Sequence, residues 1–278
     1  MEPISLTNNK QTEADKAKQK EIRQAGPLPE HIAVIMDGNG RWAKKKGNIR
    51  VFGHKAGVES VRDITESCAQ LGVGHLTLFA FSTENWGRPS AEINALIKLL
   101  MSTLRKEADN LDKNNIRLTA IGQLDRFPLE CRELLQQVID RTRDNDRMDL
   151  CLALSYSGRW DIAEATKIIG HRIKKGEIEP DEVNKEMIAA NMSTAGNPDP
   201  DLVIRTSGEF RISNFFLWQL AYTELYITET FWPDFRRDEL YNAIISFQNR
   251  DRRYGKIDNH SQTQSRVPSN EVVSHINS

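Results

Sequence analysis

The sequence lacks a long apolar run. Its most apolar stretch covers only residues 215–222, whereas roughly 18–20 apolar residues are needed to span a bilayer. The N-terminal residues are polar and rich in Lys, Glu and Gln, without the apolar core of a secretory signal. We therefore expect a cytoplasmic protein without a transmembrane helix.

Cysteine is scarce, and neither sign of charge is in excess. The three cysteines, Cys68, Cys131 and Cys151, are widely spaced and form no C-x-x-C pair, which predicts reduced, buried thiols. Lys and Arg number 38 against 39 Asp and Glu, a net charge of −1. Global charge therefore gives no reason to expect nucleic acid as a partner, and an anionic ligand needs locally gathered Arg and His.

The sequence has no internal repeat and no low-complexity linker. With 278 residues, 38% hydrophobic and 28% charged, it suits one large α/β domain or two small ones. We predict a single domain over residues 26–257. Residues 1–25 are polar with no sustained apolar period, and residues 258–278 are rich in Ser, Asn and Gln, so both are predicted to be disordered tails.

Short apolar or β-branched runs alternate with helical patterns. A helix is predicted after Ser90, its proposed N-cap, because apolar residues recur at i, i+3 and i+4 as far as Leu111. Two more helices are predicted over 129–143 and 161–175, the second ended by Gly176. Strands are predicted at 32–36, 76–81, 116–121, 150–154, 202–204 and 225–227.

Several of these strands lack polar/apolar alternation, which is typical of strands buried on both faces of a parallel sheet. The alternation of strands and helices predicts an α/β fold with an open, mostly parallel sheet covered by helices. Ligands in such sheets bind at the carboxyl ends of the strands. Those strand ends are therefore where a functional site is expected.

The first strand runs directly into a polar, glycine-containing stretch. Asp37 at a strand end is well placed to hold a hard cation such as Mg²⁺. The neighbouring glycines permit close backbone approach, and the guanidinium groups that follow suit diphosphate oxygens. An ordinary strand-to-helix turn capped by Asp37 explains the spacing equally well. The candidate residues are Asp37, Gly38, Asn39, Gly40, Arg41, Trp42, Arg50 and His54.

A second polar cluster follows the second predicted strand. It combines hydroxyl, carboxylate, amide and guanidinium groups with an aromatic ring, which favours a binding loop. The alternative is a helix-entry loop in which Asn85 caps, Trp86 packs and Pro89 sets the turn. The candidate residues are Ser82, Thr83, Glu84, Asn85, Trp86 and Arg88.

A third cluster follows the fifth predicted strand. Arg205 ends that strand, and the next loop carries Arg211, Ile212 and Ser213, a set suited to a second diphosphate. The alternative is a pair of surface arginines that bind nothing. Glu224, near the start of the last strand, is a candidate second metal ligand, although such a residue is more often a solvated or capping carboxylate.

The long helix after Ser90 has an apolar stripe that is more often simple core. The same stripe could wall a tunnel for a hydrocarbon chain.

No paired-carboxylate D-D-x-x-D signature, no dinucleotide G-x-G-x-x-G and no P-loop sequence occurs in the chain. Trans-prenyl synthases and P-loop nucleotide-binding proteins are therefore disfavoured.

Several separate stretches together resemble the cis-prenyltransferases, and most of all bacterial undecaprenyl diphosphate synthases. The likeness covers roughly residues 30–255 in order and without a large gap. Departures occur at Ser155-Tyr156-Ser157, where Asn-Tyr-Gly is common, and at Ser207, where Gly is common. The stretches are 31–43, Arg50, Gly53-His54-Lys55-Ala56-Gly57, Glu84-Asn85-Trp86, Arg88-Pro89, Gly158-Arg159-Trp160-Asp161, Arg205, 211–215 and Trp232-Pro233-Asp234-Phe235.

The resemblance implies roles for the candidate residues. Asp37 would bind Mg²⁺, with Glu224 as a further contact. Residues 38–42, Arg50 and His54 would hold an allylic diphosphate, and Arg205 and residues 211–213 would hold isopentenyl diphosphate. Asn85 would stand at the family's proton-acceptor position, flanked by substrate contacts at residues 82–84, 86 and 88. Because a neutral amide is a weak base, Asn85 could instead direct the proton toward a diphosphate oxygen or His54.

The resemblance also implies a six-stranded sheet with a hydrophobic tunnel, a homodimer, and at most peripheral membrane contact for product release. The pattern Arg253-Tyr254-Gly255 would reach the partner's active site. The expected reaction is sequential condensation of isopentenyl diphosphate onto an allylic primer. The expected primer is farnesyl diphosphate, and the expected product is undecaprenyl diphosphate. A non-catalytic partner subunit is a weaker alternative, since such a chain should lack the metal carboxylate or the binding arginines, and both are present. A phosphohydrolase that uses Asp37 as nucleophile is also weaker, since that chemistry usually needs a second acid two residues later, where this chain has Asn39.

Overall fold

A six-stranded sheet lies at the centre of the structure, a computed structural model that describes residues 11–250. Its order is β3-β4-β2-β1-β5-β6, and every pairing is parallel. All six predicted strands are confirmed, within two residues at either end. The strands are β1 (His31–Ile35), β2 (His75–Ser82), β3 (Ile116–Ile121), β4 (Met148–Tyr156), β5 (Leu202–Arg205) and β6 (Glu224–Ile227).

Helices cover both faces of the sheet. The predicted helices after Ser90, over 129–143 and over 161–175 are confirmed, but Ser90 is the first helical residue and Pro89 is the N-cap, without a side-chain cap bond. The helices are α1 (Glu13–Ala25), α2 (Asn39–Lys45), α3 (Arg50–Leu71), α4 (Ser90–Lys113), α5 (Leu129–Thr142), α6 (Gly158–Lys174), α7 (Lys185–Ala190) and α8 (Arg237–Gln248).

The sheet is buried on both faces, which explains why its central strands lack alternation. Every residue of β1, β4 and β5 is buried. The larger core packs α3, α4, α5 and α8 against one face. On the other face the rings of Phe215 and Phe216, whose centroids are 4.1 Å apart, pack against Tyr156. The first two residues of the most apolar stretch are thus core, whereas Tyr222 at its end is exposed. All three cysteines are free and buried, as predicted.

Residues 13–25 form α1, so the prediction of a disordered tail over 1–25 is corrected there. Ile22 is only 1% exposed, and Gln19 Nε2 donates to Tyr241 Oη at 2.7 Å and to Gln70 Oε1 at 2.8 Å. Residues 13–25 show no apolar period because α1 docks on α3 and α8 through the polar Gln19 as well as through Ile22. Residues 1–10, the predicted tail at 258–278 and Arg253-Tyr254-Gly255 lie outside the described residues.

The docking of α1 predicts that Ile22→Ala lowers the free energy of unfolding by about 2–5 kcal/mol, because a buried side chain is replaced by a cavity. Urea unfolding followed by circular dichroism measures the change. Lys20→Ala, at an exposed position of the same helix, is the matched control and should stay within about 0.5 kcal/mol of the parent protein. Equal stabilities for both variants would mean that α1 is not docked.

Candidate active site

The carboxyl ends of β1 and β5 bring Asp37 and Arg205 together. The two strands are neighbours, with Ile35 paired to Arg205. Arg205 Nη2 donates to Asp37 Oδ2 at 2.8 Å. Thr206 fixes the backbone of Asp37, since its hydroxyl accepts from the Asp37 amide at 2.9 Å and donates to the Asp37 carbonyl at 2.7 Å. The sheet therefore sets the position of this carboxylate.

The start of α2 brings Arg41 to the same carboxylate. Gly38 adopts a φ of +98°, and a Cβ there would lie 2.6 Å from Cδ1 of Phe231, so only glycine fits this turn. One helical turn later, Arg41 Nη2 lies 3.4 Å from Asp37 Oδ2. Arg41 also donates to Glu209 Oε1 at 2.9 Å and to the Ser207 hydroxyl.

Asp37 is held in its ionised form. Burial raises the pKa of Asp37, but hydrogen bonds from Arg205 and the Gly38 amide, with the charges of Arg205 and Arg41, bring that pKa below its ordinary value. A single ionised carboxylate suits Mg²⁺ that is shared with phosphate oxygens. No group of three or more potential metal ligands occurs among residues 11–250. The donor set therefore fits a cation brought with a phosphorylated ligand.

A second group of predicted site residues lies in the loop next to Arg205. Arg205 Nη1 donates to Ser213 Oγ at 2.7 Å and to the carbonyl of Arg211. Ser213, Asn214 and Phe216 all have positive φ angles, of 50°, 60° and 46°. This strained loop curls back over Arg205, whose Nε is buried without a partner among the described residues. Ile212 lines a small cavity beside Arg205 and Arg211.

Glu209 links the two arginine groups. Its Oε1 accepts from Arg41 and its Oε2 accepts from Arg211 Nη1 at 2.5 Å. Sequence reasoning missed this bridge, because it depends on how the loop after β5 folds over α2. The bridge keeps the guanidinium groups of Arg41 and Arg211 close to each other in the free protein.

A third positive group surrounds His54 at the start of α3. Arg88 Nη1 donates to Glu92 Oε1 at 3.0 Å, and Arg50 Nη1 lies 3.9 Å from the same oxygen. Burial, together with the charges of Arg88 and Arg50, lowers the pKa of His54 to about 4, although Glu92 opposes the shift. His54 is therefore neutral at pH 7. Glu92 was also missed, although its i, i+4 spacing from Arg88 was a signal.

The loop that contains Asn85 is a single 3₁₀ turn over Thr83–Gly87. Asn85 Oδ1 accepts from the Ser82 amide at 3.1 Å, so the predicted capping alternative is correct for this oxygen. Glu84 Oε1 accepts from Asn214 Nδ2 at 2.9 Å, which joins this loop to the loop of Ser213. Burial raises the pKa of Glu84, but this bond and others bring it below its ordinary value.

Two tryptophans border the polar groups. Trp86 Nε1 donates to Ser155 Oγ at 2.9 Å, and its ring packs edge-on against Phe81. Trp42 in α2 stacks on Phe52 with ring centroids 6.0 Å apart. Both rings therefore lie at the boundary between the charged groups and apolar surface.

An apolar cavity opens between these groups and the core. It contains about 1350 Å³ of free space, part of it open to solvent, between the sheet and the facing sides of α3 and α4. Asn39, His54, Asn85 and Arg88 contribute polar groups to its lining. Its α3 wall extends from His54 to Thr65, about 16 Å at the rise of a helix. Apolar lining residues include Val58, Val61, Leu78, Leu100, Leu104 and Leu118.

Glu224 does not join the site within this chain. It pairs in register with Leu202, which pairs with Ile32, so it lies at the amino end of the sheet. Its Oε2 accepts from Arg250 Nη1 at 2.7 Å. The prediction that Asp37 and Glu224 share a metal site is therefore wrong within one chain. Glu224 starts its strand and lies at the amino ends of the parallel strands, whereas Asp37 lies at their carboxyl ends.

The other predicted residues lie around the carboxyl ends of β1, β2 and β5. Comparisons with known proteins identify the family to which the chain is similar. A sequence profile of the undecaprenyl diphosphate synthase family matches residues 35–255. An isoprenyl transferase of Chlorobaculum tepidum is 52% identical over 254 residues, which are 91% of this chain and 94% of the relative.

Two further relatives are informative. A ditrans,polycis-undecaprenyl-diphosphate synthase of Legionella pneumophila, named as specific for (2E,6E)-farnesyl diphosphate, is 50% identical over 83% of this chain and 97% of its own. The crystal structure of lavandulyl diphosphate synthase from Lavandula x intermedia in complex with dimethylallyl diphosphate superposes with a TM-score of 0.80 at 34% identity. That match covers 82% of this chain and 99% of the plant enzyme.

The charges around His54 predict that inorganic diphosphate raises the pKa of His54 from about 4, because an anion between Arg50 and Arg88 offsets their repulsion of the imidazolium. NMR titration of the imidazole signals with and without diphosphate measures the shift. At a pH between the pKa of His54 in the free protein and its pKa with diphosphate bound, adding diphosphate should protonate His54. The exposed His171 on α6 is the internal control. An unchanged His54 titration at saturating diphosphate would contradict the prediction that an anion binds between Arg50 and Arg88.

Proposed function

Because the chain belongs to the undecaprenyl diphosphate synthase family and is thus a cis-prenyltransferase, we propose that it condenses isopentenyl diphosphate stepwise onto farnesyl diphosphate. The product would be undecaprenyl diphosphate, for use as a cell-wall lipid carrier. One observation carries the proposal: two arginine groups flank a single carboxylate beside a deep apolar cavity. A reaction that binds two diphosphate substrates, releases one diphosphate and lengthens a hydrocarbon is served by this combination.

The allylic diphosphate is assigned to the groups on α2 and α3. Arg41, Arg50 and His54 surround the glycine turn at residues 38–40, where the backbone can approach an anion closely. A Cβ at Gly40 would lie 2.6 Å from Arg50 Nε, so glycine there lets Arg50 lie against the turn. From this position the hydrocarbon of the primer can enter the cavity that His54 lines.

Isopentenyl diphosphate is assigned to Arg205, Arg211 and Ser213. Arg205 contacts both Ser213 and Asp37, and the loop that carries Ser213 also carries Arg211. Guanidinium groups bind diphosphate oxygens in a bidentate manner. Two separate anion sites would hold the isopentenyl double bond against C1 of the primer and convert a bimolecular encounter into a reaction between held groups.

Asp37 is the residue assigned to Mg²⁺. Asp37 would hold Mg²⁺, which would offset the negative charge of the leaving diphosphate. Arg205 and Arg41, which contact the same carboxylate in the free protein, would then be available to phosphate oxygens. The described residues offer no competing cluster of metal ligands.

The chemical step breaks the bond between C1 and oxygen of the primer, and diphosphate departs with the electron pair. The isopentenyl double bond supplies the electrons of the new carbon–carbon bond, and loss of a proton from the same unit forms the new double bond. Arginines fixed before reaction stabilise the departing charge without reorganisation. Asn85, whose Oδ1 is engaged by the Ser82 amide, is suited to orient the proton toward a diphosphate oxygen or neutral His54.

A homodimer is also proposed. Strand β6 is the edge of the sheet in the described structure, and Leu225 on it and Phe210 beside it are exposed by 46% and 82%. An edge strand with exposed apolar side chains is a surface that a second copy could cover.

Within residues 11–250, every helix is too short or too polar to cross a bilayer. A cytoplasmic location stays a prediction.

An elongation assay with farnesyl diphosphate, labelled isopentenyl diphosphate and Mg²⁺ tests the reaction. Asp37→Ala should lower turnover by about a hundredfold or more, because charge on the leaving group is no longer offset. Arg205→Ala should raise the KM for isopentenyl diphosphate by about tenfold or more, since a charge-assisted hydrogen bond contributes about 1.5–3 kcal/mol.

The exposed Arg143, at the end of α5, supplies the matched control Arg143→Ala, which should leave both constants unchanged. Finding no elongation with any allylic primer, from a folded protein, would contradict the proposed reaction. A loss of activity in the control as large as in Arg205→Ala would contradict the assigned site.

Product length should depend on an ion pair in the cavity wall. Arg62 Nε in α3 donates to Glu107 Oε1 in α4 at 2.7 Å, and both residues line the cavity. Arg62→Gln should shift the products to longer chains, because α3 and α4 are no longer held together there. Chromatography of the dephosphorylated products measures the shift.

The charge-reversed double variant Arg62→Glu/Glu107→Arg should restore the parent product length. Arg105→Gln is the control: it breaks an exposed pair between α4 and α5, in which Arg105 Nη2 lies 2.8 Å from Glu130 Oε1, and it should not change the products. Identical product lengths in all folded variants would show that the pair does not limit the chain.

A further inference from the structure

The corner between α2 and α3 concentrates positive charge. Between Asp37 and Glu59 the sequence contains no Asp or Glu, and it contains the basic residues Arg41, Lys44, Lys45, Lys46, Arg50 and Lys55. The whole chain has a net charge of −1, so this excess is local. The proposed allylic site accounts for Arg41 and Arg50, but it does not account for the three consecutive lysines.

The same corner exposes large apolar side chains. Ile49, the N-cap of α3, is 77% exposed, and Phe52 one turn later is 45% exposed. Lys44, Lys45 and Lys46 are exposed beside them. Among the described residues these lysines have no carboxylate within ion-pair distance, and the ammonium groups of Lys45 and Lys46 lie 4.5 Å and 4.8 Å from the ring centroids of Phe231 and Trp42. We call residues 44–52 the basic corner.

The basic corner adjoins the cavity. Asn39 precedes it and His54 follows it, and both line the cavity. Phe52 stacks on Trp42, which belongs to the proposed allylic site. A surface that the basic corner contacts would therefore lie next to the opening through which a hydrocarbon enters or leaves.

We propose that the basic corner docks the protein on an anionic lipid bilayer, with Ile49 inserted among the lipids and Lys44, Lys45 and Lys46 at the headgroups. Exposed apolar side chains flanked by lysines are the chemistry that recognises such a surface. The assignment to this partner rests on the proposed function, because a long polyprenyl product is insoluble in water and requires a lipid phase beside the cavity.

Other occupants fit the basic corner less well. A free phosphate or diphosphate would use the lysines but would leave Ile49 exposed to water. A second copy of this chain would need an acidic surface to match the lysines, and β6 already offers an apolar edge for dimerisation. A bilayer satisfies both the charge and the apolar groups without a specific complementary shape.

Sedimentation with lipid vesicles tests the proposal on the full chain. The protein should bind vesicles of phosphatidylcholine with phosphatidylglycerol and not vesicles of phosphatidylcholine alone. Binding should be lost near an ionic strength of about 1 M, where charges are screened beyond roughly 3 Å. Lys44→Gln/Lys45→Gln should weaken partitioning by about fivefold for each lysine, and Ile49→Asp by about tenfold or more.

The matched controls lie on α6, where Ile168 is 45% exposed and Lys174 and Lys175 end the helix. Ile168→Asp and Lys174→Gln/Lys175→Gln should partition like the parent protein. Elongation in detergent is measured for every variant, and Ile49→Asp should retain it. Active protein that does not bind vesicles would overturn the docking proposal alone, whereas vesicle binding without elongation would overturn only the reaction.

Three further outcomes would overturn the proposal. Equal binding to neutral and anionic vesicles would exclude recognition by charge. Equal loss in the α6 variants would exclude a localised surface. A change of oligomeric state in Ile49→Asp, measured by light scattering without lipid, would assign the basic corner to a protein interface.

Discussion

The ion pair between Asp37 and Arg205 joins two strands that are distant in sequence and determines where every other group of the site can lie. It forms because β1 and β5 are neighbours in the sheet and end at the same level. The Arg205 side chain is only 5% exposed, so its charge needs a partner inside the protein. Asp37 supplies one half of that partnership, and the loop of Ser213 supplies the other. The register of β1 and β5, the strained loop of Ser213 and the position of the Asp37 carboxylate are thus linked through the contacts of one side chain, Arg205.

A network of carboxylates holds the arginines before any ligand binds. Asp37 contacts Arg205 and Arg41, Glu209 contacts Arg41 and Arg211, and Glu92 contacts Arg88. In the proposed reaction, diphosphates would replace these carboxylates as partners of the guanidinium groups. Electrostatic catalysis depends on dipoles and charges that are already oriented. In the free protein the carboxylates therefore pair with the guanidinium groups that are proposed to bind the diphosphates.

The sequence revealed strands and strand-end clusters well, since buried parallel strands and Gly/Asp turns leave local patterns. It did not reveal groups whose role depends on tertiary contact. Glu209 became a bridge only when its loop met α2, and α1 docks through Gln19 and Ile22 rather than an apolar stripe. Glu224 was assigned to the site although it begins its strand. The rule that ligands bind at carboxyl ends, applied to β6 as it was to β1, would have excluded it from this chain's site.

Helices α3 and α4 connect the charged end of the site to its apolar end. Arg50 and His54 lie on the first turns of α3, and Val58, Val61 and Thr65 continue down the same helix along the cavity. A diphosphate held at the first turns would therefore fix one end of a growing hydrocarbon, and each added unit would advance along a wall of known rise per residue. A contact that ties α3 to α4 farther down, such as Arg62 with Glu107, then acts at a defined distance from the reacting carbon. In the proposed reaction, the first turns of α3 would help to hold the diphosphate next to Asp37, and the cavity wall farther along α3 and α4 would limit the length of the product.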